Sequence, residues 1–153
     1  MEIDLRERAL HVIDVENVLG GTLPMNVGEV FETYRRRVGY RTGDLVVAAA
    51  SHLVTKRVAF DLPTWITCHA AGGGADAADR WLLRNVDVGW ACGRVSRVVI
   101  GSGDGIFWKL ASDLRSAGVR VEVAAIDGCL SRTLNHLADE VHTLDRPDLA
   151  LAA

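Results

Sequence analysis

Apolar residues in this chain gather into short runs, and stretches with a helical period lie between them. The runs at 10–14, 45–50, 65–69, 97–100, 119–125 and 141–144 are the length of buried strands. Between the first two, Val27, Val30, Phe31, Tyr34 and Val38 recur at helical spacing over residues 26–38, and Gly39 supplies a stop. Residues 52–60 read as a short helix closed by Pro63, and residues 75–92 as one long helix after Gly72-Gly73-Gly74, which is a mobile loop or a tight connection. Residues 106–117, ending at Gly118, and residues 131–137 read as the last helices.

Strands that alternate with helices build a parallel sheet covered on both faces. The fold class expected is therefore α/β: a three-layer α/β/α sandwich with a mainly parallel central sheet. With right-handed crossovers and a strand order of 3-2-1-4-5, the first and fourth strands are neighbours where the winding reverses. Ligands bind outside the carboxyl ends of the strands at such a point. Asp14 ends the run Leu10-His11-Val12-Ile13, and Asp104 follows Val98-Val99-Ile100-Gly101-Ser102-Gly103. Two carboxylates at adjacent strand ends make an acidic pocket suited to a hard divalent cation.

The helix at 75–92 adds to that pocket. Ala78, Leu82, Leu83, Val86 and Trp90 fall on one broad apolar face when residues are set 100° apart. Asp79 lies inside that face, and Asp76 is its neighbour one turn earlier. A buried carboxylate needs a partner, and a metal or its bound water is one. The competing explanation is capping, because Asp is favoured at helix starts, where Asp76 and Asp104 both stand.

Length, composition and charge narrow the function classes. The 153 residues fit one domain, with residues 146–153 read as a frayed tail. The net charge of −3 disfavours a general grip on nucleic acid and leaves room for a local basic face. Arg80 and Arg84, one turn apart on the helix of Asp76, are the best placed for one; Arg35 to Arg37, Lys56, Arg57, Arg94 and Arg97 are further candidates. Cys68, Cys92 and Cys129 are widely spaced and match neither a zinc motif nor a disulfide framework. The reading is of reduced, mostly buried thiols in a cytoplasmic protein, with no signal peptide and no membrane span. His11 reads as a core histidine, and His69 as one that can face the pocket. Trp81 points away from the apolar face of its helix, which marks an oligomer contact or a base-stacking surface.

Taken in order, the motifs resemble one family. Asp14-Val15-Glu16-Asn17 resembles the DxxN signature after the first strand of NYN domains, the LabA-related group of the PIN-like ribonuclease superfamily. Gly74-Ala75-Asp76 resembles that family's G-apolar-D, and Val99 to Phe107 resembles its apolar-strand-S-G-D-x-D-F segment. Leu134 with Ala138-Asp139-Glu140-Val141 resembles its closing segment. The resemblance implies a PIN-like fold, a pocket binding Mg²⁺ or Mn²⁺, and hydrolysis of RNA, with single-stranded RNA the expected substrate. It places Asp14, Asp76 and Asp104 in the acidic core, Asn17 beside ligand or metal, and Ser102 within hydrogen-bond reach of the site and its RNA. Asp79 joins the metal set from helix geometry alone. The chain departs from the family at Ile106, where a second Asp is usual, and at Gly73, where a basic residue is usual. The alternative expectation is a catalytically weak or inactive NYN domain, an RNA-binding or protein-interaction module compatible with a homodimer.

Overall fold

A computed structural model describes residues 7–24 and 26–147. The expected tail lies mostly outside this range, as does most of the N-terminal segment read for a signal peptide. Six strands form one sheet: β1 (Ala9–Asp14), β2 (Leu45–Ala50), β3 (Cys68–Ala70), β4 (Arg97–Gly101), β5 (Arg120–Ile126) and β6 (Glu140–Leu144). Every pairing is parallel, and the order is β3-β2-β1-β4-β5-β6. β1 and β4 are therefore neighbours at the switch point, with Ile13 opposite Gly101.

Helices cover both faces. On one lie α1 (Val15–Val18), α2 (Val27–Val38) and α3 (His52–Val58). Phe31, Tyr34, Val38 and Val58 from this layer pack on Ile13, Ala48, Val99 and Ala124 of the sheet. On the other lie α4 (Ala77–Asn85), α5 (Val88–Cys92), α6 (Trp108–Ser116) and α7 (Arg132–Leu137). Ala78, Leu82, Leu110, Leu114 and Leu134 there pack on Leu10, Val12, Val98, Ile100 and Val123. Alternate strand residues face opposite layers, so both faces bury apolar side chains, as an all-parallel sheet requires.

Three local expectations are corrected. The helix expected over 75–92 is two helices. Val86 is extended, the Asp87 carboxylate caps α5 by accepting from the Trp90 N–H at 2.6 Å, and the Asn85 amide turns back to the Trp81 carbonyl. Asn and Asp side chains compete with helical hydrogen bonds in this way. Trp90 leaves the apolar face as a result and is 40 % exposed. The strand expected over 65–69 shrinks to Cys68–Ala70, because Ile66 closes a turn on the Pro63 carbonyl and Trp65 stacks on Tyr34 and packs against the tilted ring of Tyr40. Of the three thiols, Cys92 and Cys129 are exposed and only Cys68 is partly buried. His11 is fully buried, as expected, between the Tyr34 hydroxyl and the Asp44 carboxylate.

Candidate functional site

The carboxyl ends of β1 and β5 border a cleft of about 380 Å³, walled by the start of α4 and the turn after β1. Asp14, Glu16, Asn17, Asp76 and Asp79 line it. Asp104 stands beside it: one carboxylate oxygen from each of Asp76, Asp79 and Asp104 lies within 4.8 Å of the other two. Asp14 faces Asp79 across hydrogen-bonding distance. The four acids proposed from the sequence are thus brought together.

Each is held by a distinct local device. Asp14 ends β1 and caps α1, its Oδ1 accepting from the Asn17 N–H at 3.3 Å. The Asn17 side-chain oxygen accepts from the Gly103 N–H at 3.1 Å, tying the end of β1 to the loop after β4. Asn17 is therefore a brace between strand ends as well as a cleft residue. The Ser102 hydroxyl accepts from the Asp104 N–H at 3.2 Å, and Asp104 Oδ1 accepts from the Ile106 N–H at 2.9 Å. Ser102 is fully buried, which corrects its expected place in contact with RNA: its hydroxyl acts on the site through the Asp104 backbone. Gly103 fits because a Cβ there would overlap the Cys129 carbonyl, so backbone approaches backbone directly under the site.

Capping accounts for only part of the cluster. Asp104 does cap the short 3₁₀ turn Gly105–Phe107 with one oxygen. Asp76 precedes α4 and yet makes no side-chain cap bond. It is in the left-handed region at φ 59°, the sole non-glycine residue with positive φ among those described. Such conformations persist where the surroundings over-determine them and cluster at functional sites. Gly74, two residues earlier at φ 96°, lets the chain turn into that position.

Asp79 is the most telling member. It lies in the first turn of α4, 5 % exposed, and its buried Oδ1 has no hydrogen-bond partner among the described residues. Burial and the facing Asp79 carboxyl push the Asp14 pKa up to about 9. Burial and the charges of Asp104, Asp76 and Glu16 push Asp79 upward as well. At neutral pH the pair holds a proton between its two carboxyls, because two adjacent buried groups cannot both ionise.

Sequence reasoning missed Glu16. It lines the cleft, and its carboxylate accepts from the Ser51 N–H at 2.6 Å, joining the first turn to the end of β2. Its position two residues beyond a strand end was the available signal. Arg80 and Arg84 are exposed on α4, and neither makes a side-chain hydrogen bond or ion pair among the described residues. Other candidate cations are engaged: Arg35 with Glu32, Arg37 with Asp145, Arg97 with Glu122, and Arg94 over the Trp90 ring. Glu122, Glu140 and His142 form a second acidic group, but Arg97 and Arg120 neutralise it.

No family model matches the chain, and no curated protein does. Among solved structures, it is similar to a crystal structure of a Vibrio parahaemolyticus protein of unknown function, at 22 % identity and a TM-score of 0.58. The match covers 95 % of this chain and 97 % of that one, so the two share a fold over nearly their whole length.

Proposed function

We propose that the cleft binds Mg²⁺ or Mn²⁺ and that the protein is a metal-dependent endoribonuclease of the NYN type. The observation that carries this reading is the buried, unpartnered Asp79 Oδ1 within a set of four converging carboxylates. The donor set is all oxygen and anionic, which suits a hard cation and suits zinc or copper poorly. Asp14, Asp76, Asp79 and Asp104 would hold the ion. Asp79 fills the role of the carboxylate absent at Ile106, whose side chain packs into the core instead.

Bound there, a divalent ion supplies an activated water and neutralises charge on a scissile phosphate. The residues of the chain do the rest. Asp14 and Asp79 hold a proton until a cation displaces it. Ser102 and Asn17 fix the backbone that carries Asp104, so the carboxylates are positioned before a ligand arrives. Arg80 and Arg84 are free to attract phosphates at the rim.

The test is cleavage of a labelled single-stranded RNA with Mn²⁺, with Mg²⁺ and with EDTA. Cleavage that needs the ion and is abolished in Asp14→Asn and Asp104→Asn, with circular dichroism unchanged, is the expected result. Binding without cleavage over a broad substrate panel would leave the RNA-binding module. Neither binding nor cleavage would leave a protein-interaction module.

A further inference from the structure

We propose that His69 and Trp81 form a nucleobase-stacking platform beside the acidic cleft, which seats one base of a single-stranded RNA. The proposal rests on the RNA reading of that cleft and names how the strand would be held there.

The register of the sheet sets the geometry. Asp14 lies opposite Ala49, and Ala49 lies opposite His69. In parallel strands, residues in one such row point to the same face, and adjacent strands are about 4.8 Å apart. Asp14 and Ala49 face the layer of α4, so His69 does too, two strands or roughly 10 Å across the sheet from Asp14. α4 spans this row. Its Asp79 meets Asp14 at one end, and its Trp81 lies flat against His69 at the other, with ring centroids 4.7 Å apart and planes 18° apart.

The pair is asymmetric in burial. Trp81 is partly buried against the core, whereas His69 is exposed. With one face of the imidazole on the indole, the exposure of His69 falls on its other face and its edge. A flat ring backed by a fixed indole is what a base stacks on, and such stacking tolerates any sequence because every base has a π-face. Charge fits the same occupant. Arg84 is three residues on from Trp81 and its neighbour on α4, Arg80 lies one turn before Arg84, and neither has an acidic partner among the described residues, so the phosphates of a strand with a stacked base would meet cations.

The experiment compares two fluorescent RNA oligonucleotides of equal length in EDTA, one an oligouridylate and the other with abasic sites throughout. Both carry the same phosphates. The wild-type chain should bind the base-bearing strand about tenfold more tightly, the effect of one stacked base. His69→Ala should abolish that preference, and His69→Phe, which keeps a flat ring, should retain it. Melting curves on the same samples confirm folding, so a change in preference reads the platform. Equal affinity for the two strands in the wild type, a preference that survives His69→Ala, or no binding of either strand would overturn the proposal. Ion-dependent cleavage is measured separately on the same preparations. Its absence alongside a base preference that depends on His69 would fail the nuclease reading and leave the platform standing.

Discussion

Replacing Asp79 with Asn should change how stability depends on pH. Asp14 is held at about 9 by burial and by the carboxyl of Asp79, far above its unfolded value. An acid whose folded pKa is raised binds a proton that the unfolded chain has released. Its contribution is most favourable below the unfolded value, about 3.9, and is lost progressively as pH rises toward the folded one. One extra bound proton gives a slope of about −1.4 kcal/mol per pH unit in that window. Between about pH 6 and pH 8.5 the wild type should lose roughly 3 kcal/mol from this source. For a domain of this size that is about 6–12 °C in Tm. In Asp79→Asn the amide can donate to an ionised Asp14 and the facing charge is gone, so only burial still holds Asp14 above its ordinary value and the slope should be confined to a narrower pH window. Thermal melts by circular dichroism across the pH range, with and without Mn²⁺, are the assay. The variant should gain on the wild type as pH rises without metal, and Mn²⁺ should reverse the order at the alkaline end. Parallel Tm curves for the two proteins would refute the shared proton and the electrostatic account of the site.

Asp104→Asn should lower Mn²⁺ affinity by about tenfold or more in calorimetry, since it removes one charge and little volume; equal binding would remove Asp104 from the ligand set. Arg80→Ala combined with Arg84→Ala should weaken RNA binding and lower the magnitude of the log–log salt slope by about 1.4, two single-strand phosphate contacts, while leaving Mn²⁺ affinity alone. The same pair of changes at Arg36 and Arg37 should do less, because Arg37 is already paired with Asp145. Gly103→Ala should cost about 3 kcal/mol or more, because its Cβ meets the Cys129 backbone and lies 3.2 Å from Ala125 Cβ, contacts that flexible side chains cannot relieve. A Gly103→Ala melt matching the wild type would mean the Cys129 turn yields.

What the sequence made legible follows from what is local. Strand-length apolar runs, alternation with helices and the Asp at two strand ends are properties of neighbouring residues, so the parallel sheet and those two acids could be read directly, whereas the strand order that makes β1 and β4 neighbours had to be assumed. Asp79 was legible because helical period is local too. What lay hidden depends on partners far along the chain. The break at Val86 needs Asp87 to win as a cap over continuation of α4. The truncation of β3 depends on Trp65 finding Tyr34 and Tyr40, which lie far earlier in the chain. Glu16 joins the site through Ser51, thirty-five residues away. The stack of His69 on Trp81 joins a strand end to a helix across a glycine connection, and no periodicity announces such a contact.

The choice between a cation site and a bare interaction surface turns on the cost of Asp79. A buried polar atom left without a partner costs about 1–3 kcal/mol, and more if charged. An Asn at the same place would fill the same space and could donate to Asp14. A leucine would extend the apolar face already formed by Ala78 and Leu82. Either would make the isolated fold more stable, and a domain that only presented its surface would lose nothing by the change. An ionised carboxylate does one thing there that an amide or an alkyl group cannot, which is to bind a cation strongly. The surrounding braces fit the same logic. Asn17 on Gly103, Ser102 on Asp104 and Glu16 on Ser51 all stiffen the loops that carry the acids, holding the carboxyl groups close before any cation arrives. That rigidity is costly for a surface patch and useful for a site whose ligand must find its oxygens already in place. The cation reading is preferred on this ground, and the Mn²⁺ titration of Asp79→Asn is where it meets its most direct test.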